Sequence, residues 1–116
     1  MKRDMEPIRL SLLEVEGEKP APDLSAYTED QKVYHMALCI EAGLVDGDIV
    51  KDGHGYPAAT AAIRLTWKGH EFLDAARNDT IWKRTLGRMK KAGAAVTLPV
   101  LEDLLKKGAK ELLGLP

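Results

Sequence analysis

The chain has 116 residues, of which 45% are hydrophobic and 30% charged, and its formal net charge is -1. That balance belongs to one ordinary globular domain and excludes a disordered tail, a collagen-like fibre and a low-complexity array. No apolar run approaches the roughly 18 residues of a membrane span, the charged start Met1-Lys2-Arg3-Asp4 carries no secretory signal, and the lone Cys39 cannot form an internal disulfide, so a reducing, cytoplasmic setting is expected.

The first element in the chain is a helix. Met5, Ile8, Leu12 and Val15 recur at spacings of three and four, Asp4 is an N-cap, Pro7 falls in the first turn and Gly17 ends the run. Leu10 points off this stripe. Residues 17–27 hold two prolines and a glycine and read as a connector, with a short extended piece at 24–27. Thr28-Glu29-Asp30-Gln31 is a capping box. The helix behind it buries Val33, Met36, Ala37 and Ile40, and Gly43-Leu44 closes it in a Schellman arrangement.

The period then changes. Residues 44–51 and 61–66 read as two strands of a hairpin, with a loose tip over 52–57. Thr66 caps a helix carrying Trp67, His70, Phe72 and Leu73 to about Arg77. Asn78-Asp79 opens another, with Ile81, Trp82, Thr85, Leu86 and Met89, closed by Gly93. Thr97 caps the last, with Pro99 in its first turn and Leu101, Leu104, Leu105 and Leu112 on its face. The class is mostly α (α+β): a winged-helix-like core with a two-stranded β-hairpin wing over residues 1–77, and a C-terminal helical extension over 78–116, in a single domain. The connector is too broken to supply a helix before Thr28, so one member of the usual helix-turn-helix pair is lost or shrunk.

Specific residues carry a resemblance. Met1-Lys2-Arg3-Asp4-Met5 with Ile8-Arg9 and Leu12-Leu13, Tyr34-His35 before Glu41-Ala42-Gly43-Leu44, the segment Leu65-Thr66-Trp67-Lys68-Gly69-His70-Glu71-Phe72-Leu73-Asp74, and Arg77 before Trp82-Lys83 resemble a family of small hypothetical bacterial proteins. It is a winged-helix-like domain of unknown function common in phages and prophages. The resemblance implies that fold, a prophage-linked origin and no established catalysis, and it supplies no site residues.

Catalytic patterns are weak. His70-Glu71 begins a zinc-protease motif, but the fifth position is Asp74 and not a second histidine. His35 and Cys39, at i and i+4, form at most half of a metal site, and a closed site would need nearly every His and Cys in the chain. Gly53-His54-Gly55 is a hairpin tip, too short for a phosphate-binding loop. The expectation is a protein that binds, without catalysis, metal or cofactor.

The near-neutral total conceals a division. Residues 1–58 carry 6 Lys/Arg against 12 Asp/Glu, and residues 59–116 carry 11 against 6. In a winged helix, Thr28, Gln31 and Lys32 would open the recognition helix, Gln31 reading adenine and Lys32 guanine. Residues 28–56 hold only Lys32 and Lys51 against six acids, a poor surface for phosphates. The basic candidate lies later: Lys83, Arg84, Arg88, Lys90 and Lys91, with Trp82 beside them. Read functionally, this cluster contacts nucleic acid or an acidic partner. Read structurally, Arg88, Lys90 and Lys91 complement a helix C-terminus by about 0.3–1 kcal/mol each.

The leading expectation is a small prophage-type regulatory or adaptor protein, and the alternative is a DNA-binding transcription regulator using the basic helix or an atypical face. The leucines of the last helix exceed one stripe, so they pack within the chain, Leu10 being a natural partner, or form a homodimer. A membrane partner is not expected. If the basic cluster binds polyanions, neutralising Lys83, Arg84 and Arg88 together lowers the salt needed to elute the protein from heparin; unchanged elution removes the cluster from consideration.

Overall fold

The computed structural model describes residues 1–93 and 95–116. Their elements run α1 (Met5–Glu16), α2 (Glu29–Glu41), β1 (Val45–Lys51), β2 (Pro57–Leu65), α3 (Trp67–Ala76), α4 (Asp79–Lys91) and α5 (Leu98–Leu112). Five helices and one antiparallel hairpin make an α+β fold, as the sequence predicts. The chain forms two compact units, Met1–Glu71 and Phe72–Pro116.

In the first unit, α1 and α2 pack on each other and on the hairpin. The Asp4 carboxylate accepts the Glu6 N–H at 3.0 Å, and Gly17 takes the left-handed conformation that stops α1. Met5, Ile8 and Leu12 are buried as their spacing requires. At the start of α2, Thr28 Oγ1 accepts the Gln31 N–H (3.1 Å) while Gln31 Oε1 accepts the Thr28 N–H (2.8 Å). The end of α2 is the expected Schellman motif: Leu44 N–H donates to Cys39 O and Gly43 N–H to Ile40 O.

The buried face of α2 differs from the expected one. His35, Met36, Ala37 and Cys39 are buried, whereas Val33 and Ile40 are half-buried. The face is rotated toward His35 because a polar ring can be buried when both its nitrogens are satisfied. Residues 24–27 form a turn, not an extended piece. Tyr27 N–H donates to Leu24 O, and Asp23 accepts the Ser25 N–H at 2.9 Å.

Strand β2 starts at Pro57, four residues earlier than the sequence pattern indicates. The tip is correspondingly tight. Asp52 Oδ1 accepts from the N–H groups of His54 (2.8 Å) and Tyr56 (3.1 Å), and Asp52 N–H donates to Tyr56 O. Two register shifts leave Ala58 and Ile63 without opposite residues.

The base of the hairpin is held where α2 meets α3. Thr66 N–H donates to Leu44 O (3.0 Å), Thr66 Oγ1 donates to Gly43 O (2.5 Å), and Lys68 Nζ donates to Ala42 O (3.2 Å). The same Thr66 hydroxyl oxygen accepts the Gly69 N–H at 3.0 Å, capping α3. Gly69 lies so close to the Leu44 carbonyl that any Cβ there would overlap it.

In the second unit α4 and α5 pair. Phe72, Leu73, Ile81, Trp82, Met89, Leu101 and Leu105 are buried, and Phe72 meets Trp82 edge-to-face at 6.5 Å. Asn78 caps α4 through its Oδ1 on the Ile81 N–H. Thr97 occupies the N-cap position of α5 without a side-chain cap bond. Leu112, expected on the buried face, is 64% exposed, because α5 runs on past the level of Ile81, where Gly108 packs.

Gly69→Ala should lower unfolding stability by about 2–3 kcal/mol through overpacking against main chain, and Thr66→Ala by about 1–2 kcal/mol through loss of the cap. Gly53→Ala, whose Cβ meets nothing within 4 Å, should stay within about 0.5 kcal/mol of the parent. Urea denaturation of the three variants checks the ranking.

Candidate functional site: a cation-rimmed groove between α4 and α5

Helix α4 is amphipathic by sequence: Ile81, Trp82, Thr85 and Met89 turn inward, and Lys83, Arg84, Arg88, Lys90 and Lys91 are therefore left outside. The five cations do not stand alike. Lys83 Nζ lies 3.0 Å from the Asp79 carboxylate one turn earlier. Arg88, Lys90 and Lys91 occupy the last turn, where the helix dipole favours them. Arg84 and Arg88 lie on the side that faces α5, and there they border a cavity of about 220 Å³.

Thr85, Met89 and Ala92 line the cavity from α4; Val100, Leu104, Lys107, Gly108 and Glu111 line it from α5. Its origin is a matter of side-chain size. Gly108 lets α5 approach Ile81, and a Cβ there would sit 2.9 Å from Ile81 Cγ2. Thr85, Ala92 and Gly108 are too small to fill the space that this approach leaves. Val100 (47% exposed) and Leu104 (36% exposed) consequently present apolar surface to it. Arg84, Arg88 and Lys107 stand around that surface, and among the described lining residues Glu111 is the one carboxylate. An apolar floor with a net positive rim can seat an apolar group while pairing with acids beside it.

The other candidate residues are engaged in holding the fold. Thr28 and Gln31 cap each other reciprocally, and Lys32 Nζ is 3.1 Å from the Glu29 carboxylate. His35 accepts the Asp4 N–H at Nε2 (3.0 Å), and its Nδ1 lies 2.7 Å from the Gln31 carbonyl. A carbonyl only accepts, so Nδ1 carries the proton and the ring is the neutral tautomer. The Cys39 thiol points to the Ile8 carbonyl at 4.0 Å. The sequence-level pair of His35 and Cys39 is thus built into the contact of α1 with α2. His70 Nδ1 is 3.8 Å from the Glu16 carboxylate, and Asp74 pairs with Arg77 at 3.1 Å. Among the described residues, no group of three or more His, Cys, Asp or Glu is placed to hold a metal ion.

The basic cluster is legible in the sequence, but the groove is not. Val100, Leu104, Lys107, Gly108 and Glu111 do share one helical face by spacing. The missing information is that this face turns toward Arg84 and Arg88, which is a long-range pairing.

Fold and groove together define an α+β protein with a helix–hairpin unit and a cation-rimmed pair of helices. The chain belongs to the DUF2513 family of hypothetical proteins, whose pattern it matches over residues 2–95. It is also similar to an "Uncharacterized protein" of Haemophilus influenzae (strain Rd), with 29% identity over 120 residues covering 98% of this chain and 100% of the relative. No solved structure matches it. The family match takes in α4 and ends before α5, so it includes one wall of the groove.

Burial pushes the Cys39 thiol up from its usual 9.0 to about 12. The thiol stays protonated in the folded chain while the unfolded chain ionises. Its contribution to stability is therefore complete below about pH 9 and is lost as pH rises toward 12. Native protein should resist iodoacetamide at pH 8 and react in denaturant, as mass spectrometry of the alkylated chain will show.

Proposed function

We propose that this protein is a small regulatory or adaptor module that acts by binding, and that its partner is a protein presenting an acidic segment to the α4–α5 groove. The observation that carries this reading is the placement of Arg84, Arg88 and Lys107 around an apolar depression with one opposing acid. Nucleic acid would use such a surface poorly. Single strands bind by stacking on exposed aromatic rings, whereas Trp82, the aromatic nearest the basic cluster, is wholly buried and no aromatic side chain lines the groove. Phosphate binding would gain nothing from Val100 and Leu104.

The order α1, α2, hairpin, α3 supports a winged-helix-type reading of residues 1–77. The usual docking mode is opposed by its charge and by the mutual capping of Thr28 and Gln31. A prophage setting, which the resemblance implies, suits a small protein that acts on another factor by binding it. The transcription-regulator alternative, with α4 on DNA, makes the opposite prediction in the same experiment.

Tagged full-length protein in nuclease-treated lysate of its host should retain its partner. The triple variant Arg84→Gln, Arg88→Gln, Lys107→Gln should lose it, with affinity weakened roughly tenfold, as expected for three partly exposed ion pairs. Capture that disappears on nuclease treatment favours the DNA reading.

A further inference from the structure

We infer that the groove is shaped for one occupant, an acidic amphipathic helix of about three turns supplied by a different protein. This rests on the preceding reading that the groove is the partner surface, and it specifies what that partner must present.

Dimensions set the first limit. The lining residues run from Arg84 to Ala92 on α4 and from Val100 to Glu111 on α5. At 1.5 Å per residue these walls are about 12 and 16 Å long, or two to three helical turns. A segment lying along them as a helix meets the floor with one residue per turn, so it needs apolar side chains at i, i+4, i+7 or i+8 and i+11. Those side chains seat between Met89 and Thr85 on one wall and Val100 and Leu104 on the other.

Charge sets the second. Cations stand on both walls, Arg84 and Arg88 on α4 and Lys107 on α5. The occupant therefore needs acids on both flanks of its apolar stripe. Glu111, at the end of the groove far from Val100, adds a position where a basic residue of the occupant is favoured.

The same argument excludes a second copy of this chain docking through its C-terminal leucines. Leu112, Leu113 and Leu115 are uncovered, but Lys106, Lys107 and Lys110 precede them. That segment would bring cations to a cationic rim. The acidic helices α1 and α2 of a second copy already bury their apolar faces within the first unit, so the complementary partner is a different chain.

Four fluorescein-labelled 12-residue peptides test this against the full-length protein by fluorescence anisotropy. One has leucines at helical spacing with glutamates on both flanks; the others are a scramble of it, an oligoglutamate of equal charge, and a lysine-for-glutamate version. The amphipathic acidic peptide should bind roughly tenfold more tightly than the scramble. It should weaken by a similar factor in Leu104→Gln and in Arg84→Gln/Arg88→Gln. In the unaltered protein, amide chemical shifts should move within residues 84–92 and 100–111, which keeps the test valid should a variant fold poorly. Equal binding of scramble and oligoglutamate overturns the helical occupant while leaving the acidic-partner reading intact. Failure of every acidic peptide, or preference for the lysine version, overturns both. Shift changes confined to other residues place the occupant elsewhere and overturn the groove.

Discussion

The hairpin unit depends on the junction where the last carbonyls of α2 meet the first turn of α3. A helix end leaves its final C=O groups without intrahelical partners. Gly43, at a φ of 76°, turns the chain so that the carbonyls of Ala42, Gly43 and Leu44 meet Lys68 and Thr66. Thr66 serves both sides at once: its hydroxyl proton goes to Gly43, and its oxygen lone pair takes the Gly69 N–H. Gly69 permits the approach because a side chain would occupy the position of the Leu44 carbonyl. This junction lies directly beside the Val45–Leu65 pair that closes the hairpin base, so strand register and helix start are set at one point. Within Leu65-Thr66-Trp67-Lys68-Gly69, the burial of Leu65, the bonds of Thr66 and Lys68 and the close approach of Gly69 serve this junction, whereas Trp67 stands 80% exposed and takes no part in it.

The same economy holds elsewhere in the first unit. Polar residues that look like instruments of recognition or metal binding are committed to ends and contacts of helices. Thr28 and Gln31 satisfy each other's main-chain donors. His35 joins the start of α1 to the first turn of α2, and Cys39 packs against α1 as a protonated, buried thiol. Swinging the buried His35 ring out to a ligand would leave its polar partners unsatisfied, at a cost of about 1–3 kcal/mol, whereas the exposed caps of Thr28 and Gln31 are given up for about 0.5–2 kcal/mol.

Local chemistry was the legible part of the sequence. Caps, Schellman closures and helix stripes involve residues within six positions of each other, and Asp4, Gly17, Thr28, Gly43, Thr66 and Asn78 act as their types and positions indicate. Non-local determination was not legible. Residues 57–62 are Pro-Ala-Ala-Thr-Ala-Ala, a run with little strand propensity of its own. They become strand because β1 pairs with them and because Asp52 tightens the tip. The buried face of α2 follows from a partner for His35 that lies 31 residues away at Asp4. The groove requires two helices whose relative rotation is set by Gly108 against Ile81.

The charge division separates what helix dipoles explain from what they leave over. Met1–Glu71 carries 8 Lys/Arg against 13 Asp/Glu, and Phe72–Pro116 carries 9 against 5. Glu29 and Asp30 sit in the first turn of α2, and Arg88, Lys90 and Lys91 in the last turn of α4, where the dipole stabilises each. That effect fades within one turn of a helix end, so it gives no reason for Arg84 in the middle of α4 or Lys107 in the middle of α5. Both side chains border the same apolar cavity. Two interior cations on separate helices, converging on surface that neither helix covers, are the part of the basic half that folding alone does not require.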